Sequence, residues 1–333
     1  MPKSKKLSKT GEELQLSLFQ NFISNSPEDV SNTIEMWESI PKYFFTPAQI
    51  KKLRTDKGLA ESFKWTFKYQ NTSCTVKIQP ALIENKDGTS SAYFPGVTEE
   101  LVEEALKKIF TQQNYGFHNP SDLESWVKFS LRMVQRELKS RGRDRNLKQI
   151  KHAIEVMSSC IITLYQEDKE VYKGAILSDL ITVNRDQYLA DRDSQHVARL
   201  PVFISKGINA LNYRQFNYSR LMECDEQLSR WLYKRFINKF RQASITNNYH
   251  FMYSLIAEES GLLQGTIDQA KRRKVHSALE ELKGLGVIRD YTIDIRKENR
   301  RITDVKYNIT ASHEFIKEQK AAKSLSEKVR FSK

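Results

Sequence analysis

The chain has 333 residues, length for two or three compact domains, and its 39% hydrophobic and 29% charged residues are an ordinary globular mixture. Lysine and arginine outnumber aspartate and glutamate by 54 to 41, a formal charge of +13, so the natural partner is an extended polyanion: DNA, RNA or an anionic membrane. Cys74, Cys160 and Cys224 stand far apart with no histidine at ligand spacing, which argues against a zinc finger, any other metal site or a disulfide framework.

The first residues lack the apolar core of a secretory signal, and no run approaches the length of a membrane span, so a cytoplasmic location is expected. Residues 1–35 read as a flexible arm of lysine, serine, asparagine and acids. Within it the pentapeptide Gln15-Leu16-Ser17-Leu18-Phe19 is apolar without an amphipathic element around it. A short extended peptide of this kind inserts two leucines and a ring into a groove while the glutamine amide fixes the register. All five positions match the bacterial sliding-clamp-binding motif. Residues 36–96 form a β-rich segment of uncertain role, with alternation at Trp65 to Tyr69 and Thr75 to Ile78 and a turn at Asn85-Lys86-Asp87-Gly88.

From residue 97 to 198 the pattern is helix, helix, turn, basic helix and hairpin, the order of a winged helix-turn-helix domain. Thr98 is the expected cap of its first helix, with Leu101, Val102, Ala105, Leu106 and Ile109 on one face. Ser121 is the expected cap of a second helix running through Trp126 into Leu131 to Leu138. After the polar turn Arg141 to Arg145, the residues Leu147, Ile150, Ile154, Met157 and Ile161 stripe a third, one-sided helix. Strands follow at Ile161 to Tyr165 and Val171 to Val183. Between Lys128 and Lys151 there are nine lysines and arginines and two acids, a surplus suited to DNA.

Residues 199–312 repeat the order. Leu200 to Ile204 and Gln215 to Met222 read as strands flanking a short helix, and a long helix begins near Asp225 with Leu228, Leu232, Phe236 and Phe240 on its apolar face. Tyr253 to Glu259 is a short helix ended by Gly261. Thr266 opens a helix whose Val275, Ala278, Leu279 and Leu282 face inward, and Gly284 and Gly286 stop it. Val287 to Ile295 and Ile302 to Ile309 form a hairpin with a basic tip. Residues 313–333 read as a helix fraying into a basic C-terminal tail. The fold class expected is therefore α+β, two tandem winged-helix domains with a flexible N-terminal arm.

An α-helix buried on one side and polar on the other fits the major groove, where base edges are distinguishable. The helical wheel places Thr266, Gln269, Arg272, Arg273 and His276 at the groove in the second unit, with Lys271 and Lys274 reaching phosphate from the apolar edge. In the first unit the matching candidates are Arg145, Lys148, Gln149 and His152. Arg296, Lys297, Arg300 and Arg301 at the hairpin tip are placed to follow the sugar-phosphate backbone.

Taken together, the arm Glu13 to Phe19, the stretch Arg230-Trp231-Leu232-Tyr233-Lys234-Arg235-Phe236 and the run Val275 to Ile288 resemble the Rep family of iteron-binding plasmid replication initiators, TrfA-type. The resemblance covers roughly residues 97–310 plus the arm. It implies a plasmid DNA replication initiator that binds repeated origin sequences, opens the adjacent DNA and recruits host replication proteins. The partners it implies are double-stranded and single-stranded origin DNA, the sliding clamp, the host initiator and replicative helicase, and a second copy in an inactive homodimer. No enzyme activity and no cofactor are expected. The chain has no Gly-x-x-x-x-Gly-Lys-Ser/Thr loop, its six histidines are isolated, and Tyr233 lies on a helix beside Trp231 and Leu232 rather than in a recombinase site. The alternative is a winged-helix transcriptional repressor or autoregulator, which has no use for a clamp ligand.

Overall fold

A computed structural model describes residues 29–112, 114–182 and 195–331, with nothing said of side chains past residue 324. Gln15 to Phe19 lies outside the described residues. The architecture is mixed α and β. In chain order the elements are β1 (Val30–Thr33), α1 (Glu35–Glu38), α2 (Pro47–Leu53), β2 (Phe63–Tyr69), β3 (Thr72–Gln79), β4 (Ala81–Glu84), β5 (Ser90–Tyr93), α3 (Val97–Phe110), β6 (Gly116–Asn119), β7 (Glu124–Phe129), α4 (Leu131–Ser140), α5 (Leu147–Ser159), β8 (Ile161–Gln166), β9 (Lys169–Ala175), β10 (Ser178–Ile181) and β11 (His196–Arg199). Then follow α6 (Val202–Asn209), β12 (Arg214–Asn217), α7 (Tyr218–Glu223), α8 (Gln227–Lys239), β13 (Tyr249–Met252), α9 (Tyr253–Ser260), α10 (Gln269–Gly284), β14 (Ile288–Glu298), β15 (Arg301–Ala311) and α11 (His313–Phe331).

The first half packs α3, α4 and α5 on one another, with the sheet β2-β3-β8-β9 running on from α5. All pairs in that sheet are antiparallel, with Val76 opposite both Trp65 and Leu164. The β-rich segment thus supplies the hairpin β2–β3, which extends the sheet of β8 and β9. Trp65 of β2 donates its indole N–H to the Glu258 carbonyl at 2.7 Å, so the same hairpin also touches α9 in the second half. A second sheet, β10-β11-β7-β6, lies beside these helices. The second half is α8, then β13, α9, α10, and the hairpin β14–β15 in a sheet of order β13-β15-β14.

Six stretches differ from the sequence expectation. Residues Glu124–Phe129 are a strand, not a helix: Ser125, Val127 and Phe129 are buried and alternate with less buried neighbours, a period of two. The helix starts after Ser130, whose hydroxyl accepts the Met133 N–H at 3.1 Å. Val202–Asn209 is a helix entered through Pro201, and the expected strand Gln215 to Met222 is β12 followed by α7, with Asn217 capping at Arg220 N–H, 2.9 Å. Helix α3 starts ahead of Thr98, and Glu99 accepts the Gly96 N–H at 2.7 Å. Thr266 precedes α10 rather than opening it; Asp268 is the cap, accepting the Lys271 N–H at 2.8 Å. Val30–Thr33, within the stretch read as the arm, pairs antiparallel with β12.

The two halves meet across buried charge. Helix α3 is covered on every side, and Glu100, Glu103, Glu104, Lys107 and Lys108 are all buried. Glu103 accepts from Trp37 Nε1 at 2.5 Å and Tyr43 OH at 2.8 Å. Lys107 reaches Glu38 and Glu104, both at 2.5 Å, and Lys234 of α8 reaches the same two carboxylates at 2.8 and 2.5 Å. Arg230, 1% exposed, pairs with Glu100 at 3.0 Å. Charges taken out of water in this way hold only when each has a close counter-charge. Burial pushes the Glu38 carboxyl up, but Lys107 and Lys234 beside it more than offset this and hold it well below its ordinary value. At the far side Gly261 ends α9 with φ +67, and a Cβ there would sit 2.7 Å from the Phe44 ring, so both conformation and packing call for glycine.

Candidate nucleic-acid interface

Helix α10 presents an exposed basic surface that is not already paired. Val275, Ala278, Leu279 and Leu282 are buried, which turns Gln269, Ala270, Arg273, Lys274 and Ser277 outward. Toward the C-terminal end the outer face is occupied: Glu280 accepts from Tyr291 OH at 2.8 Å and Lys283 pairs with Asp290 at 3.0 Å. Toward the N-terminal end Gln269, Arg273 and Lys274 make no side-chain hydrogen bond or ion pair among the described residues. The open part is therefore the first two turns.

Two of the residues expected on this face are held back. Lys271 donates to the Thr266 carbonyl at 2.6 Å and pairs with Asp268 at 3.1 Å, so its ammonium group fixes the start of the helix. His276 is half-buried, with the ring of Tyr307 5.9 Å away and that of Tyr291 6.5 Å away. Burial and the Arg272 guanidinium push its pKa down against the pull of Glu280, which keeps the imidazole neutral near pH 7. Arg272 is half-buried beside it, and Thr266 is exposed just ahead of the helix.

The hairpin β14–β15 stands next to α10. Its turn has Asn299 at φ 44 and Arg300 at φ 71, the paired left-handed conformation of a tight two-residue hairpin loop. Arg296, Lys297, Arg300 and Arg301 are all exposed and without partners among the described residues. Asp304 accepts from Ser254 Oγ at 2.6 Å and Asp294 from Asn308 at 2.9 Å, while Glu298 at the tip is one carboxylate against the four cationic side chains. The tip is left with a local excess of free positive charge.

In the first half, α5 is capped by Asn146, and Gln149 returns the bond by accepting the Asn146 N–H at 3.0 Å. Lys148 and Gln149 are exposed, as expected. Arg145 turns inward, donating to the Asp144 carbonyl at 2.8 Å and to Thr98 Oγ1 at 3.4 Å. His152 sits edge-on to the Tyr93 ring at 4.5 Å, with Arg54 over the same ring at 4.3 Å, so the β4–β5 hairpin flanks the side of α5 that the wheel gave to DNA. Lys151, Arg136 and Lys139 are exposed and unpaired among the described residues. These three belong to the basic run Lys128 to Lys151 but fall off the wheel positions chosen, and only the charge count pointed to them.

Several other basic side chains are engaged by acids. Arg143 pairs with Asp225, Arg220 with Glu314 and Glu318, Arg235 with Glu259, and Lys239 and Arg241 with Glu35. Tyr233 is fully buried, and burial raises its pKa well above the ordinary range, so the hydroxyl is no nucleophile. Among the described residues no group of three or more His, Cys, Asp or Glu is placed to hold a metal ion. Among the same residues no helix is long and apolar enough to cross a membrane.

No protein-family model matches the chain, and no curated protein matches it. Among solved structures the chain is similar to domains 2–3 of RctB at 12% identity, covering 81% of this chain and 97% of that one with a TM-score of 0.46. A selenomethionine derivative of domains 2 and 3 of RctB is similar at 13% identity, covering 77% of this chain and 95% of that one, TM-score 0.45. The Pi initiator protein in complex with iteron DNA is similar at 13% identity over 86% of this chain and 98% of that one, TM-score 0.38.

Proposed function

We propose that the chain is a sequence-specific double-stranded DNA-binding protein made of two tandem winged-helix units, acting by binding and not by catalysis. The observation that carries this reading is the unpaired surface formed by Gln269, Arg273 and Lys274 together with the hairpin tip Arg296, Lys297, Arg300 and Arg301. A helix with its first two turns free beside a basic ribbon fits a groove and its flanking phosphates. The second half has the element order helix, strand, helix, helix, two-stranded wing.

The DNA it reads is, on this proposal, the repeat array of a replication origin. That step is supported by the resemblance of the arm and the second unit to the TrfA-type Rep initiators, not by the interface itself. The pentapeptide Gln15 to Phe19 then recruits the sliding clamp, with the helicase, the host initiator and a homodimeric resting state as further partners. Changing Leu18 and Phe19 to alanine should abolish clamp binding and leave DNA affinity intact; unchanged clamp affinity sinks the arm assignment.

The DNA reading is tested with Arg273→Ala. On a duplex selected by the wild-type chain the loss should be about 1–3 kcal/mol if the guanidinium makes a bidentate base contact. On random duplex the loss should be much smaller. An equal loss on both makes Arg273 a phosphate contact only, and no measurable duplex binding by the wild type refutes the function.

A further inference from the structure

Arg143 ahead of α5 and Glu281 of α10 both hold one short stretch of chain that neither helix contains. Residues Met222 to Glu226 are the end of α7 and its link to α8, and Arg143, in the turn that precedes α5, grips them with all three guanidinium nitrogens. Nε donates to the Met222 carbonyl at 2.6 Å, Nη2 to the Glu223 carbonyl at 2.7 Å and Nη1 to the Asp225 carboxylate at 2.5 Å. Gly142, at φ +72, reverses the chain at the end of α4, and the Arg143 N–H closes on the Leu138 carbonyl at 2.9 Å, which aims the side chain back at the stretch.

The opposite side of the same stretch is held by α10. The Glu281 carboxylate accepts the backbone N–H groups of Asp225 and Glu226, the latter at 3.3 Å, and Ser277 donates to the Glu226 carboxylate. Arg230 takes the remaining carbonyls, Cys224 at 2.8 Å and Asp225 at 3.1 Å. A connector whose backbone groups are this fully engaged is a poor hinge. It is also close to both reading surfaces: Arg143 lies five residues before Lys148, and Ser277 one helical turn beyond Arg273.

We infer that Arg143 and the stretch Met222 to Glu226 form a strut that fixes the rotational phase between α5 and α10, so that the protein accepts one separation between the two DNA sub-sites those helices read. The inference rests on the proposed reading of both helices as DNA-facing. Arg143 is a positioning residue here: its guanidinium is 15% exposed and spent on protein acceptors. Two modules on a loose tether tolerate many separations, whereas two held rigidly lose the second module's contribution when the phase is wrong.

The test uses the full chain and a pool of random-sequence duplexes, from which the wild type selects its two sub-sites. Five base pairs are then inserted between them, about half a helical turn. The wild type should lose about 100-fold in affinity, the contribution of the second module. Arg143→Ala should lose at least about tenfold less on the same insertion, while its affinity for each sub-site alone stays within about twofold of wild type. Glu281→Gln, which loosens the strut from the other end without truncation, should behave the same way and carries the test if Arg143→Ala does not fold. A full insertion penalty in the folded variants overturns the inference, as does a wild type indifferent to the insertion. Failure of the wild type to select any duplex instead removes the underlying DNA reading.

Discussion

Replacing Arg296, Lys297, Arg300 and Arg301 together with alanine removes four cationic groups that have no protein partner, and the effect should appear in the salt dependence of DNA binding. Each phosphate neutralised contributes about −0.9 to the slope of log affinity against log salt. With Arg273 and Lys274 added, these six groups account for a slope of about −5, and the quadruple variant should be shallower by about 3.6. Between 50 and 200 mM salt these groups make the wild type lose about 1,000-fold in affinity, whereas the two left in the variant account for about tenfold. Contacts from the first unit add equally to both proteins. Fluorescence anisotropy of a labelled duplex across that salt range measures the difference directly. Lys239→Ala is the control: its ammonium group is held by Glu35 at 2.6 Å and should leave the slope unchanged. A quadruple variant with the wild-type slope would show that unpaired charge on the hairpin is not what DNA meets, and the interface would have to be sought elsewhere.

Two predictions concern the buried charge between the halves. Arg230→Met leaves Glu100 buried without its partner and should destabilise the fold by about 3–5 kcal/mol in urea unfolding; adding Glu100→Gln should recover most of the loss. Equal destabilisation in the double variant would mean that shape, not charge, matters there. Glu38 has a folded pKa below its ordinary 4.5, so its contribution to stability is complete above about pH 4.5 and is lost as the pH falls toward the folded value. The melting-temperature gap between wild type and Glu38→Gln should therefore be widest at neutral pH and narrow below about 4.5. A gap that does not change with pH would show that the ion pairs of Glu38 are not the source of the effect.

The parts of the fold that were readable in the sequence are those fixed by neighbours in the chain. The buried stripe of α10, the αL glycine after α9 and the paired strands around Asn299-Arg300 all depend on local spacing and turn chemistry. Short apolar runs were not readable in this way. Glu124–Phe129 and Leu200 to Ile204 read as the wrong element because four to eight apolar-rich residues fit either period, and only the partner strand or helix decides. Pairings such as Val76 with Leu164 leave no periodic trace.

The same distinction runs through the candidate site. Lys148, Gln269, Arg273, Lys274 and the hairpin tip are exposed because their own helix or ribbon turns them outward. Arg145 and His152 are engaged by Thr98 and Tyr93, which arrive from other elements, so a helical wheel could not foresee it. The acids of α3 are the sharpest case: two adjacent Glu-Glu pairs look like a solvated face until Arg230 and Lys234, some 130 positions later, close over them.

The pairing of β1 with β12 sets a length. Phe19 lies eleven residues before Val30, where the chain is stitched into the body next to the connector between the halves. At no more than about 3.6 Å per residue, that leash reaches about 40 Å. A ligand bound at Gln15 to Phe19 would therefore be kept within about 40 Å of Val30, little more than one turn of a DNA duplex.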